Sequence, residues 1–213
     1  MLILYASEYC PFCHATQLVL AEKHIDCDVR LVDLANKADF PHLLSPYQHV
    51  PVLRDGEQRI YESSIINEYL EETNLQSRLM PADPGARAQV RFWIAFVHDR
   101  LVPAYFALMN SADSAEWPKL VDNFQRWLRF AEERAFADGY FGHERLTLAD
   151  FALYPWFERL VSATRYRGAS IPLDCLRLKD WLMRMEGLEA VRECRKTEQQ
   201  YITFFDKFYD AII

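Results

Sequence analysis

Apolar and polar positions change rhythm along this chain, and the change divides it in two. Leu2-Ile-Leu-Tyr5 is a short apolar run suited to a buried strand. A loop from Ala6 to Tyr9 follows, and Pro11 then stands at the first position of a helix, where its missing N–H costs nothing. Leu18, Val19 and Leu20 continue that helix to about Lys23. Cys27 to Asp33 alternates and reads as a second strand, which a right-handed crossover makes parallel to the first. The polar stretch from Asn36 to Gln48 has weak helical content around Phe40 to Leu44. Val50 to Leu53 and Gln58 to Tyr61 flank Asp55-Gly56, the strongest short hairpin signal in the chain. After Glu62-Ser-Ser, the residues Ile65, Ile66, Tyr69 and Leu70 are spaced for a helix packed on the sheet.

From about residue 75 strand signals nearly vanish. Leu79-Met-Pro-Ala-Asp-Pro-Gly is dense in breakers and reads as a linker. Asp83 is placed to cap a helix with Pro84 at its first position, and Val90, Trp93, Ile94, Val97 and Leu101 keep the i, i+3, i+4 rhythm. Pro103 is expected to kink or divide this helix. A second helix is predicted over about Glu116 to Ala137. A third opens at Leu146-Thr-Leu-Ala-Asp-Phe, with Thr147 as N-cap, Asp150 reaching back to it, and Leu146 stapled onto Phe151. Pro155 inside that helix demands a bend. Two more helices fit Asp174 to Glu186 and about Leu188 to Tyr209. The order β-α-β-(α)-β-β-α is thioredoxin-like, so the expected architecture is an α/β domain over residues 1–76, a linker over 77–83 and an all-helical domain over 84–213.

Composition agrees with a globular chain. Its 213 residues are 51% apolar and 26% charged with six glycines, enough to bury a substantial core. A formal charge of −7 supplies no basic field for nucleic acid or anionic lipid, so neither is expected as a direct partner. The opening run Met1 to Ala6 has no basic region before it, and Glu8 interrupts it, so no secretory or membrane segment is read. Five cysteines, an odd count in a chain too large to need disulfide staples, point to a reducing cytoplasm.

The chemistry concentrates in Cys10-Pro-Phe-Cys13-His14, a string compatible with haem attachment, half of a zinc site or a redox thiol motif. Haem attachment of this kind follows export. A zinc ribbon needs a second closely spaced pair, and Cys175 and Cys194 are eighteen residues apart. Thiol chemistry therefore leads, with no metal and no haem. At a helix N-terminus, unpaired N–H groups and the macrodipole favour an anion, so a thiolate at Cys10 can titrate several units below ~8.5. Cys13, one turn on and on the same face, is either a resolving thiol or a passive core residue. His14 reads as a solvent-facing helix residue and His49 as a loop residue. Cys27, Cys175 and Cys194 read as structural, Thr147 and Asp150 as a folding cap, and the aromatic-rich helices mostly as core.

Taken together, a thioredoxin-like half followed by an all-α half resembles the cytosolic glutathione transferases over the whole chain. The resemblance rests on Cys10-Pro-Phe-Cys13 after strand one, Val50-Pro51 before strand three, Glu62-Ser63 before the following helix, and Thr147-Leu-Ala-Asp150 opening a buried helix. Cysteine in place of tyrosine or serine is similar to the omega-like and beta-like classes and the glutaredoxin-2-type proteins. The resemblance implies that Cys10 faces the glutathione sulfur, with Phe12 beside it and Cys13 as a possible resolving thiol. It implies that Val50 pairs its backbone with the tripeptide, that Pro51 is cis, and that Glu62 and Ser63 hold the γ-glutamyl end. A serine at a helix N-terminus suits that carboxylate and the glutamate suits the ammonium. His49 falls where many relatives carry a lysine near the glycyl carboxylate. Tyr105, Phe106, Met109 and Trp156, which follow the kinks, are assigned to a hydrophobic substrate pocket. The implied protein is a homodimeric thiol transferase that uses glutathione as co-substrate and acts on a small electrophilic or disulfide substrate. The segments Leu79-Met-Pro, Ala86-Arg and Leu108-Met-Asn also resemble stringent starvation protein A, which binds RNA polymerase without catalysis, although that branch generally lacks a Cys-Pro-x-Cys motif.

Overall fold

In the computed structural model, residues 1–33, 46–135 and 139–209 are described. The apolar run at the start forms β1 (Leu2–Ala6), and after a turn α1 (Pro11–Glu22) leads to β2 (Cys27–Leu31). β1 and β2 run parallel with Leu2 opposite Cys27 and Ala6 opposite Leu31, as the crossover requires. β3 (Val52–Asp55) and β4 (Gln58–Tyr61) form a hairpin, and β3 pairs antiparallel with β1 to give the sheet order β2-β1-β3-β4. The turn is shifted by one residue from the Asp-Gly signal: Asp55 pairs with Gln58, and Gly56 and Glu57 form the loop, Gly56 with φ +57°. α2 (Ser63–Thr73) buries Ile66 and Leu70 against the sheet. The weak helix expected at Phe40 to Leu44 lies outside the described residues.

The helical half begins with α3 (Pro84–Phe96), capped as expected by Asp83, whose carboxylate accepts from the Ala86 N–H at 2.7 Å. Pro103 does not break the chain's course. Residues Val97–Leu101 widen into a π-helical turn, in which the Val102 N–H reaches the Val97 carbonyl, and α4 (Val102–Asn110) continues from it. Pro103 has no N–H for the Asp99 carbonyl, which instead accepts from the Arg100 guanidinium at 3.0 Å. α5 (Trp117–Arg134) follows, the end expected near Ala137 lying outside the described residues.

α6 (Leu148–Glu158) opens with the expected capping box at Thr147 and Asp150. Asp150 is fully buried and also accepts from the Phe141 N–H and the Trp181 indole N–H, both at 2.8 Å. Beyond Pro155 the helix stops at Glu158, and a separate α7 (Leu160–Arg167) follows, ended by Gly168 in the left-handed region. α8 is Leu176–Glu186. The single helix expected over Leu188 to Tyr209 is two, α9 (Glu189–Cys194) and α10 (Glu198–Phe205), because Thr197 and Gln200 form a second capping box that starts a new helix. Among the described residues no helix is long and apolar enough to cross a membrane.

Two contacts position the site. α1 packs against α6 and α9, so the helical half stands directly behind the Cys-Pro-Phe-Cys turn. At the far end of α1, buried Lys23 donates to Glu71 at 2.7 Å and to the Gln76 and Ser77 carbonyls, while Glu71 accepts from the Leu79 and Met80 N–H groups. This ion pair is satisfied on every side, which is what a buried pair needs to persist.

Candidate functional site

The turn from β1 into α1 places Cys10 at the N-cap in extended conformation, with Pro11 at the first helical position. Its carbonyl accepts the first helical hydrogen bond, from the His14 N–H at 3.0 Å, so the thiol sits above the unpaired N–H groups of the first turn. Cys13 lies one turn deeper, wholly buried, with its sulfur accepting from the Ser7 N–H at 3.4 Å. The two thiols ionise very differently. The Cys10 thiol is lowered to about 7, first by the Cys13 thiol donating to it, then by the Cys13 and Phe12 backbone N–H groups and the Arg159 charge; burial opposes them. The Cys13 thiol is pushed far up, first by burial and then by the Cys10 sulfur beside it.

Cys10 opens onto a cavity of about 350 Å³ lined by Cys10, Phe12, Gln48, His49, Val50, Pro51, Glu62 and Ser63. The eight include Cys10 and all six residues assigned above to glutathione, so the three separate motifs converge on one wall. The Val50-Pro51 peptide bond is cis, and the Cys10 thiol points at the Val50 carbonyl across 3.9 Å. Glu62 and Gln48 have φ of 64° and 55°, a region non-glycine residues rarely adopt and one concentrated at binding sites. Ser63 is the first residue of α2, where free N–H groups and the dipole favour an anionic ligand.

Other assignments fall differently. Tyr105, Met109 and Trp156 are almost wholly buried, and only Phe106, 36% exposed, offers surface. The Trp156 ring packs edge-on against Phe12 at 5.4 Å and Tyr105 against Trp156 at 5.4 Å, so these two stand behind the cavity wall rather than on it. His14 is not solvent-facing. It is 2% exposed between α1 and α6, with Nδ1 3.6 Å from Glu158, and burial holds its pKa down to about 3, so the ring is neutral. α1 packs against α2, α6 and α9, which leaves no solvent face at that position.

Three participants escaped the sequence reading. Gln48 precedes the Val-Pro pair and had only that adjacency to mark it. His98, in the π-helical turn, meets the Phe12 ring at 5.8 Å, and burial lowers its pKa while Asp99 and Glu62 raise it. Arg159, in the break between α6 and α7, has no sequence signal linking it to a thiol 149 positions earlier.

Residues 4–78 match the family model described as glutathione S-transferase, N-terminal domain. Glutathione S-transferase U25 of Arabidopsis thaliana is 31% identical over 194 residues, covering 89% of this chain and 86% of that protein. Glutathione S-transferase omega-1 of Sus scrofa is 31% identical over 160 residues, covering 74% of this chain and 66% of its own length. The crystal structure of rice GST1 in complex with glutathione superposes with a TM-score of 0.87 at 26% identity, covering 97% of this chain and 96% of that one. With the strand order, the thiol turn and the helical half already in agreement, these similarities place the chain in the glutathione S-transferase family.

Proposed function

We propose that the protein is a glutathione-dependent thiol transferase with Cys10 as its nucleophile. The observation that carries this reading is a thiol ionised near neutral pH facing a cavity walled by Val50-Pro51 and Glu62-Ser63. That cavity lies within the size range of small-ligand sites. In rice GST1 glutathione is bound in the same fold, which supports glutathione as the ligand here. The γ-glutamyl carboxylate sits at the N-terminus of α2 beside Ser63 and its ammonium by Glu62, which directs the sulfur toward Cys10.

The Cys10 thiolate attacks the glutathionyl sulfur of a mixed disulfide, forming Cys10–S–SG and expelling the substrate as a thiolate that takes up a proton. A second glutathione, as its thiolate, then attacks the sulfur of the bound glutathionyl group, releasing Cys10 and glutathione disulfide. Conjugation to electrophiles is the lesser activity, because a cysteine forms a disulfide with glutathione where a hydroxyl only stabilises its thiolate. The five free cysteines fit a reducing cytoplasm. A homodimer formed through the face carrying exposed Ile65 and Phe92 completes the reading, and sedimentation velocity measures it.

The test is release of glutathione from a glutathionylated peptide and reduction of hydroxyethyl disulfide. Cys10→Ser is expected to lower both by about a thousandfold or more. Retention on immobilised RNA polymerase with no glutathione turnover would favour the non-catalytic regulator and sink the enzyme.

A further inference from the structure

The turn that carries Cys10 to the start of α1 is closed by two hydrogen bonds of its own. The Cys10 N–H donates to the Ser7 carbonyl at 3.2 Å and the Ser7 N–H to the Cys13 sulfur at 3.4 Å. Tyr9, immediately before the thiol, supplies a further hold. Its ring stacks on Phe204 at 4.1 Å with 15° between the planes and meets Tyr201 edge-on at 6.0 Å, and the Lys196 ammonium stands 5.9 Å from its centroid. All three partners come from α10 and the residues leading into it. Glu158 of α6 braces this box, accepting from the Tyr201 hydroxyl at 2.8 Å and the Lys196 backbone N–H at 3.1 Å. The stack is more than α10 needs for its own docking. The helix is tied to α7 by the Tyr166 hydroxyl, which donates to Asp206 at 2.7 Å, and it buries Tyr201 and Phe205. Phe204, only half-buried, turns to Tyr9 instead.

We infer that Phe204 is a positioning residue for the nucleophile: by stacking on Tyr9 it lets α10 fix the backbone that presents the Cys10 sulfur to the first turn of α1. The inference rests on the reading of Cys10 as nucleophile. Phe204 is not among the residues that line the cavity, so it acts through Tyr9 and not on a ligand. Cys10 is the joint between two bodies. The Phe12 and Cys13 N–H groups that favour its thiolate belong to α1, whereas the chain entering Cys10 belongs to the turn. A turn released from α10 lets the sulfur drift from those donors, and small misplacements of a reacting atom are costly.

The experiment is the pH dependence of Cys10 alkylation by iodoacetamide, read at that residue by mass spectrometry with no glutathione present. Phe204→Leu keeps an apolar side chain but removes the stack. It is expected to raise the midpoint by about 0.5 pH, a roughly two- to threefold loss of thiolate at and below pH 7, whereas Phe204→Tyr keeps the stack and the wild-type midpoint. Tyr9→Leu is expected to give the same rise, and the double variant no more than either single one, because both remove one contact. Each substitution exchanges one uncharged side chain for another, so the charges of Glu8, Glu158, Arg159 and Lys196 around the turn are kept. Tyr9→Leu, on the half-exposed turn, decides the matter should Phe204→Leu fail to fold. A midpoint unmoved in Tyr9→Leu or in Phe204→Leu, rises that add in the double variant, or a rise as large in Phe204→Tyr as in Phe204→Leu overturns the inference. If activity is lost in Cys10→Ser while those midpoints stay put, the thiol-transfer reading stands and only the role of Phe204 falls. Activity retained in Cys10→Ser overturns the nucleophile itself.

Discussion

Replacing Cys13 by alanine separates the two roles a second thiol can have. The Cys13 thiol donates to Cys10 and is the largest of the influences that bring Cys10 from 9.0 to about 7. With that donor gone, the two backbone N–H groups and Arg159 remain, and burial still opposes ionisation. A lost hydrogen bond to a charged group is worth about 1.5–2 kcal/mol, so Cys10 is expected to rise to about 8.3. At pH 7 the thiolate fraction falls from about one half to about one twentieth, a roughly tenfold loss in kcat/KM that disappears above about pH 9.

Cys13→Ser keeps an O–H donor in the same place and is expected to keep the wild-type profile. The assay is kcat/KM for deglutathionylation of a peptide between pH 5.5 and 9.5, with Cys10 alkylation measured in parallel. An alanine variant with an unmoved profile would refute the hydrogen-bond argument. A serine variant inactive at every pH would instead make Cys13 an obligatory resolving thiol. The cavity left by one sulfur costs ~1 kcal/mol of stability, too little to unfold the chain.

Three further outcomes concern other parts of the structure. If Ser63 holds the γ-glutamyl end as proposed, Ser63→Ala is expected to raise KM for glutathione severalfold at nearly constant kcat, because its hydroxyl would serve ground state and transition state alike; steady-state kinetics with varied glutathione checks this. Asp150→Ala removes the buried acceptor of the Phe141 and Trp181 N–H donors and is expected to cost about 3–4 kcal/mol in urea unfolding. Burial raises the Asp150 carboxyl from 3.8 to about 6, so the folded chain holds this proton more tightly than the unfolded one. The stability this linkage supplies is complete below about pH 4 and lost as pH rises through about 6, and Asp150→Asn is expected to remove that decline.

Local signals carried much of the fold, and their limits are physical. The β-α-β start, the hairpin and the Thr147–Asp150 box depend on neighbours within a few residues, and each formed where the pattern placed it, the hairpin turn moving by one. The second donor pair on Asp150 was not legible, because Trp181 is 31 residues away and only packing of α8 on α6 brings it there. His14 was misread because periodicity assumes one wet face, and α1 has none. The break between α9 and α10 did have a local signature, Thr197-x-x-Gln200, masked by the apolar run around it. At the site, Val50-Pro51 and Glu62-Ser63 were findable as motifs, whereas Arg159 depends on which elements meet behind the turn. Tyr105 and Trp156 were placed near the site by their kinks, and burial then set them behind its wall.

The ionisation of the thiol pair also bears on how the catalytic cycle closes. Cys10 and Cys13 share one easily lost proton: the first leaves Cys10, and a second negative charge in the same buried space is opposed both by burial and by the Cys10 sulfur. While Cys10 is a thiolate, Cys13 is therefore a donor and not a nucleophile. Once Cys10 is capped as a mixed disulfide the neighbouring charge is gone, yet Cys13 remains wholly buried, and burial is the larger of the two obstacles. A thiol that cannot ionise attacks a disulfide poorly, since exchange runs through the thiolate. On the proposed reading, release of Cys10 then falls to a thiol arriving from solvent through the open cavity, the role given above to a second glutathione.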